Sequence, residues 1–275
     1  MIGAIVSFTM MAVAGRAVSF ELDTFEIMMY RSFVGTLIVI ACLTATGTWD
    51  RVRFTHTRLH LVRNGFHFMG QNLWFYALTA IPLAQVFALE FTSPLWVLVL
   101  SPLILGERLT RIRAISAIVG FIGILIVARP SPETINAGTI AAATAAIGFA
   151  GAIMFTKRLT RVTTLASILF YLTVTQSLFG IIFAGADGDI ALPSAPALPW
   201  LIVIGIGGLV AHFCMTTALS IAPATVVTPV DFTRLPVIAI IGALFYNEPI
   251  DALVILGAVI IFGANYLNIW SETRK

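Results

Sequence analysis

Runs of about 20 consecutive apolar residues dominate this sequence and restrict its fold more than any other feature. An α-helix needs about 20 such residues to cross a bilayer core, where its own hydrogen bonds must satisfy the backbone. The chain is 59% hydrophobic and 11% charged, roughly half the charged fraction of a soluble domain. The runs predict an all-α polytopic membrane protein with ten transmembrane helices, at roughly 2–20, 25–46, 64–80, 84–105, 112–128, 137–156, 165–184, 200–219, 225–246 and 252–270.

The basic residues alternate between the two sides of these spans. Cytoplasmic loops carry an excess of lysine and arginine, and Arg129 is the main exception to the alternation. We therefore expect a multi-pass protein of the cell inner membrane with both termini in the cytoplasm. The formal net charge of +3 follows from these loops and does not call for a nucleic-acid partner. The basic residues assigned to the cytoplasmic side are Arg51, Arg53, Arg58, Arg63, Arg108, Arg111, Arg113, Lys157, Arg158, Arg161, Arg274 and Lys275.

A second pattern is an internal repeat with a constant offset of 141 residues. Glu90 in the fourth span matches Asp231 in the ninth, and both are followed by Phe-Thr. A series of matches in one register indicates a duplication, which we divide into a first five-helix repeat at 1–134 and a second at 135–275. The further matching pairs are Pro82 and Pro223, Gly106-Glu107 and Asn247-Glu248, Phe91-Thr92 and Phe232-Thr233, and Arg16 and Lys157.

Each half holds an odd number of spans, so the second half enters the membrane in the opposite orientation. Inverted repeats are typical of secondary transporters, whose substrate sites lie near the bilayer midplane. Glu90 and Asp231 each lie six residues into their spans, about 9 Å from opposite faces, which relates them by a pseudo-twofold axis. Gly106 and Asn247 follow these two spans, and both residue types tolerate a left-handed C-cap.

Three short motifs carry a family resemblance: Arg31 in "YRSFVG", the proline-bearing "FTSPLW", and "PLILGERLT" at the end of the fourth span. With ten spans in two halves, the sequence resembles the EamA-type carriers of the drug/metabolite transporter superfamily. The pair Gly106-Glu107 is the most specific part of the resemblance. It implies a central cavity walled by spans 1–4 and 6–9, with spans 5 and 10 at the periphery. The amino-acid exporters, aromatic ones among them, are the members most similar to this chain.

Polar and aromatic residues form a stripe on the third span, because the spacing of His67, Gln71 and Trp74 places them on one helical face. The repeat register sets His212 and Met215 of the eighth span against Gln71 and Trp74. Two interpretations stay open, a cavity lining and hydrogen bonds between helices. The residues that we assign to substrate binding are His67, Gln71, Trp74, Glu90, Phe91, His212 and Met215.

Acids at membrane depth are costly unless they are paired or hydrated. Glu90 is expected either to bind a substrate amine or a proton in a cavity, or to form a structural ion pair with Arg31 or Arg16. Asp231 has Arg234 three residues on, the spacing of a pair on one helix face. An ion pair of this kind inside a helix bundle is suited to act as a gate that opens and closes between the inward-facing and outward-facing states. The residues that we assign to gating or ion pairing are Arg16, Arg31, Asp231 and Arg234.

These features favour a secondary carrier that works by alternating access. The sequence contains no ATP-binding motif and no metal-ligand or catalytic signature, so neither a cofactor nor enzymatic activity is expected. An intramembrane enzyme and a channel are the alternatives from other classes. The family resemblance and the aromatic residues favour export of a neutral or aromatic amino acid. The alternative substrate is a nucleoside-type compound, a vitamin or a compound similar to S-adenosylmethionine. A monomer or a homodimer in the lipid bilayer is expected, and the direction of transport and proton coupling stay open.

Overall fold

Twelve α-helices account for most of the residues that this computed structural model describes, which are 1–106, 110–129, 135–186, 188–231, 234–249 and 251–273. The helices are α1 (Ile2–Val18), α2 (Thr24–Thr46), α3 (Thr57–Ala80), α4 (Leu83–Glu90), α5 (Ser93–Ile104), α6 (Arg111–Ala128), α7 (Ala137–Leu159), α8 (Leu165–Ala184), α9 (Leu198–Ile221), α10 (Ala224–Val230), α11 (Arg234–Tyr246) and α12 (Ala252–Thr273). Several positions singled out from the sequence lie outside the described residues, namely Glu107, Arg108, Phe232, Thr233, Arg274, Lys275 and the repeat boundary at residue 134.

All ten predicted spans are helical, which confirms the all-α polytopic fold. Helices α4 and α5 together form the fourth span, α10 and α11 form the ninth, and each other helix forms one span. Within the described residues, five spans are long and apolar enough to cross a membrane, and four more are shorter apolar helices. The remaining span, α3, is 24 residues long but more polar, since it carries buried Arg63, Asn64, His67 and Gln71.

The third span begins earlier than its apolar run predicted. Helix α3 starts at Thr57 rather than at 64, so Arg58 and Arg63 lie in this helix and not in the preceding loop. The apolar run missed the first turns because their polar side chains face other helices instead of lipid. His60 is 1% exposed and Arg63 is 2% exposed.

Spans four and nine are each divided into two helices, and both spans contain prolines, which free backbone carbonyls and offer flexing points. Helix α4 ends at Glu90 and α5 begins at Ser93, while α10 ends at Val230 and α11 begins at Arg234. Pro94 has no N–H to donate to the carbonyl of Glu90, which accounts for the first break. Interruptions at this depth are tolerated where the backbone is buried in protein or lines a cavity.

The two halves pack about a pseudo-twofold axis. Helix α2 packs against its repeat counterpart α8, α6 packs against α12, and the pair α1–α9 has its equivalent in α3–α7. Thr36 and Ser177, which are 141 residues apart, meet with 3.1 Å between their hydroxyl oxygens. Gly120 faces Ala264, whereas Gly123 faces Ile261. Residue numbers rise along α6 as they fall along α12, so the halves are inverted, as the odd number of spans predicted.

Helix ends also repeat between the halves. Pro82 is the N-cap of α4, and Pro223 directly precedes α10. Gly106 has φ 68° and Asn247 has φ 54°, so both residues adopt the left-handed conformation that the sequence predicted for these two C-caps. Asparagine adopts this conformation more readily than most residues other than glycine.

An ion pair between the halves closes one face of the bundle. On the face opposite to the N-terminus, Arg16 at the end of α1 lies 2.5 Å from Glu248, which follows α11. Glu248 also accepts a hydrogen bond of 2.9 Å from the N–H of Leu83 at the start of α4, where free N–H groups favour an acid. Lys157, the repeat counterpart of Arg16, instead donates to carbonyl oxygens at the C-terminal end of α9.

The close approach of α3 and α7 generates a first prediction. A Cβ at Gly148 would lie 2.8 Å from the Cα of Gly70, a backbone atom that cannot easily move. We expect Gly148→Ala to destabilise the protein by about 1–3 kcal/mol, measured by thermal unfolding in detergent. Gly65→Ala is the control, because nothing lies within 4 Å of its Cβ on the exposed side of α3. Equal effects of the two substitutions would contradict this packing.

A second prediction concerns Arg16 and Glu248. We expect Arg16→Gln and Glu248→Gln to lower the unfolding temperature non-additively, with a coupling energy of about 0.5–3 kcal/mol in a double-mutant cycle. The control cycle uses Arg129 and Asp251 on the same face, whose side chains are 42% and 43% exposed. The hydrogen bond from Arg129 lowers the pKa of Asp251 to about 2, so the control pair is charged at neutral pH, and it is more exposed than Arg16 and Glu248, whose side chains are 17% and 12% exposed. Additive effects in the Arg16–Glu248 cycle would show that this pair does not hold the face closed.

Candidate functional site

A central cavity lies between the two halves. Its walls come from α1, α3, α7 and α9 and from the two broken spans, whereas α6 and α12 pack together at the periphery. Its volume is about 70 Å³, well below the ~300–1,000 Å³ of sites that hold small molecules. The sequence-predicted residues that line it are His67, Gln71, Trp74, Glu90, Phe91, His212, Met215, Asp231 and Arg234.

The stripe on α3 faces this cavity. His67, Gln71 and Trp74 are each 2% exposed. The Trp74 indole N–H donates a hydrogen bond of 2.7 Å to a carboxylate oxygen of Glu90. The rings of His67 and His212 are nearly perpendicular, with centroids 4.5 Å apart. The two interpretations left open by the sequence are therefore not exclusive, because the stripe lines a cavity and also contacts neighbouring helices.

Two acids and one arginine meet at the helix breaks. The guanidinium of Arg234 lies 2.6 Å from a carboxylate oxygen of Glu90 and also pairs with Asp231. The same guanidinium lies 4.8 Å from the ring centroid of Phe8, within range of a cation–π contact. Glu90 belongs to the first half and Asp231 to the second, so one cation joins pseudo-equivalent acids across the interface. The repeat counterpart of Arg234 is the uncharged Ser93, so the second half alone supplies a cation at this position of the repeat.

The triad of Glu90, Asp231 and Arg234 contains two carboxyl groups and one guanidinium in a region removed from water. Arg234 is 2% exposed, Glu90 8% and Asp231 9%. The Oδ1 atom of Asp231 has no hydrogen-bond partner among the described residues. Removing one member of a buried ion pair costs about 3–5 kcal/mol, because it leaves a charge uncompensated. The arrangement can therefore receive a proton or a substrate cation, either of which would compete with Arg234 for a carboxylate.

The partners expected for Glu90 differ from those in the structure. The sequence suggested Arg31 or Arg16, but Glu90 pairs with Arg234, and Arg16 pairs with Glu248. Arg31 lies at the same depth as Glu90, yet its helix α2 packs against α8 and α9. Its guanidinium therefore lies beside Gly208 of α9 and makes no ion pair within the described residues.

Arg63 is the cavity residue that sequence reasoning missed. It is 2% exposed and lines the cavity one turn before His67. Its Nε donates a hydrogen bond of 2.9 Å to the Thr156 hydroxyl, and its Nη1 donates one of 2.8 Å to the Asn64 side-chain oxygen. The signal was present in the sequence, since Arg63 precedes His67 by four residues and extends the stripe by one turn.

Apolar side chains pack on both sides of the cavity along the membrane normal. Toward the face closed by Arg16, Leu83, Phe87 and Leu235 belong to one buried cluster. Toward the face of the N-terminus, Val97 and Met154 belong to another. Each cluster combines side chains from the two halves, so either side opens only if the halves move relative to each other.

Comparison with known proteins agrees with this architecture. The family model of the EamA-like transporter family matches residues 1–129 and again 136–270. A riboflavin transporter of Brucella anthropi is 32% identical over 243 residues, covering 87% of this chain and 85% of the relative. An S-adenosylmethionine uptake transporter of Rickettsia prowazekii is 28% identical over 255 residues, covering 93% and 86%. The pseudopaline exporter CntI of Pseudomonas aeruginosa is 29% identical over 258 residues, covering 93% and 89%.

A solved crystal structure superposes on this chain with a TM-score of 0.78 and 16% identity, covering 99% of this chain and 96% of the other. At that identity it shows the fold alone. The named substrates of the three relatives do not support the expected likeness to amino-acid exporters in particular, and they correspond to the alternative substrates considered above. Because one family model matches both halves, the chain belongs to the EamA-like transporter family and is a membrane transporter of a small metabolite.

Proposed function

We propose that this protein moves a nucleoside- or vitamin-type metabolite across the cell inner membrane by alternating access, with both termini in the cytoplasm. The observation that carries the proposal is the sharing of Arg234 by Glu90 and Asp231, one acid from each half, at a cavity between the halves. A pocket that is bounded by two inverted repeats and closed by apolar packing on both sides suits rocking of one half against the other.

We propose a nucleoside- or vitamin-type substrate in place of the neutral or aromatic amino acid that the sequence favoured. The relatives named above are an S-adenosylmethionine uptake transporter, a riboflavin transporter and a pseudopaline exporter, and none of these names is that of an amino-acid exporter. The cavity is lined by the rings of Phe8, Trp74, Phe91 and Phe149, and aromatic faces suit the stacking of a planar ring system. A cavity of about 70 Å³ is too small for such a molecule, so entry requires the halves to separate, as alternating access demands.

The triad supplies a coupling step in this proposal. A cationic or proton-donating group of the cargo that reaches Asp231 or Glu90 competes with Arg234 for the carboxylate. Loss of the contact between Arg234 and Glu90 weakens the link between the halves, because Arg234 belongs to the second half and Glu90 to the first. Binding of cargo is thereby connected to movement of the halves, without a bound nucleotide or metal in the step.

Counterflow in proteoliposomes tests the proposed function. We expect saturable exchange of labelled S-adenosylmethionine or riboflavin by the purified protein, and no exchange of labelled phenylalanine. Empty liposomes are the control. Flux that rises linearly with concentration would indicate a channel, chemical conversion of the label would indicate an enzyme, and exchange of phenylalanine alone would restore the amino-acid assignment.

Trp74→Phe tests the aromatic wall and its hydrogen bond to Glu90. This change keeps a ring but removes the N–H donor, and a hydrogen bond to a charged group contributes about 1.5–3 kcal/mol. We expect transport to fall roughly tenfold or more, while the protein still inserts and unfolds cooperatively. Trp200→Phe is the matched control, because this tryptophan is 42% exposed at the start of α9. Wild-type kinetics in Trp74→Phe would count against a role for this wall.

A further inference from the structure

Arg63 is a buried cation of the cavity wall that has no acidic partner among the described residues. Among the described residues no carboxylate lies within ion-pair distance of it, and its exposure is 2%. Arg31 is a second buried cation, with 6% exposure. It lies beside a small pocket on the far side of His212, and His212 lines both that pocket and the central cavity. An uncompensated charge inside a membrane protein is costly and marks a functional site.

Neutral groups hold the guanidinium of Arg63 in position. Its Nε and Nη1 atoms donate to Thr156 and Asn64, and Nη2 lies 3.4 Å from Nδ1 of His212. Asn64 is itself held by a hydrogen bond of 3.0 Å to the Tyr171 carbonyl. These contacts orient the planar group but leave its charge unbalanced, which is the arrangement that binds a planar anion in two hydrogen bonds.

The cavity also holds several buried polar atoms that have no hydrogen-bond partner within the described residues. Buried polar atoms are normally paired, so a set of unpaired ones around one cavity indicates a polar ligand. They lie toward Arg63 and toward the triad, and aromatic rings line the space between. The atoms are Nε2 of His67, Nε2 of His212, Oγ1 of Thr216, Oδ1 of Asp231 and Nε of Arg234.

We propose that the transported metabolite carries an anionic group, a carboxylate or a phosphate, which pairs with Arg63. Its ring system extends along α3 to Trp74, and a cationic or donor group at the other end meets Oδ1 of Asp231, which has no hydrogen-bond partner among the described residues. Eleven residues of helix separate Arg63 from Trp74, about 16 Å along the axis, which suits an elongated molecule with charges of both signs. This inference rests on the proposed function and narrows its substrate class.

Two matched pairs of compounds test the inference on the purified full chain. S-adenosylmethionine differs from its decarboxylated form by a carboxylate, and flavin mononucleotide differs from riboflavin by a phosphate. Binding of all four is measured by calorimetry, and exchange is measured by counterflow. We expect the anionic member of one pair to bind roughly 10- to 100-fold more tightly, as a charged hydrogen-bonded contact implies. A difference within the first pair would indicate that the site recognises a carboxylate, and a difference within the second pair would indicate a phosphate.

Variants of Arg63 complete the test. Arg63→Gln should lower the affinity for the anionic member far more than that for the neutral member and so abolish the difference within the pair, and Arg63→Lys should retain part of it. Arg58→Gln is the control, since Arg58 is exposed in the first turn of the same helix. If Arg63→Gln does not fold, the wild-type comparison and Arg63→Lys still decide the question.

Two results would overturn the inference. Equal affinities within both pairs in the wild-type protein would show that no anionic group is recognised. An equal loss for the anionic and neutral members in Arg63→Gln would show that Arg63 only organises its neighbours. Failure of the proposed function has a different signature, because then none of the four compounds is exchanged in counterflow.

Discussion

The guanidinium of Arg234 holds two carboxylates together inside the membrane, and the relation between the two halves depends on this contact. Glu90 and Asp231 are pseudo-equivalent, and each lies where its span is broken. An acid at this depth is costly unless it has a partner. Because Arg234 of the second half also pairs with Glu90 of the first, the halves are linked at the cavity, and a ligand that competes for Glu90 acts on the interface itself.

The side chains that line the cavity differ between the two repeats. A strictly equal duplication would place the same side chains on both walls of the cavity. Instead, Arg234 corresponds to Ser93, and Trp74 to Met215. The first half supplies the aromatic and histidine stripe with Arg63, and the second half supplies the cation that joins the acids. The backbone keeps the inverted symmetry of the duplication, while the side chains make the cavity asymmetric, and the proposed alternating access would use both properties.

Much of the fold could be predicted from local patterns. The ten spans follow from apolar length, and the left-handed caps at Gly106 and Asn247 follow from residue type. The beginning of α3 could not be found in this way, because its first turns carry polar side chains that neighbouring helices bury. The predicted ion-pair partners of Glu90 were also wrong, because equal depth in the membrane does not determine which helices are neighbours. Arg31 and Glu90 share a depth but lie on helices that pack in different places.

The sequence by itself determined the helical membrane fold, the inversion of the repeats and the set of polar residues on α3. Apolar length, an offset of 141 residues and helical periodicity are properties of the chain alone. Only the tertiary structure decided which charges meet. Arg234 pairs with both acids and Arg16 pairs with Glu248, whereas Arg63 lies at the cavity with neutral neighbours. The reason is physical, because the pairing of buried charges depends on helix packing across the halves, and residues 144 positions apart come into contact there.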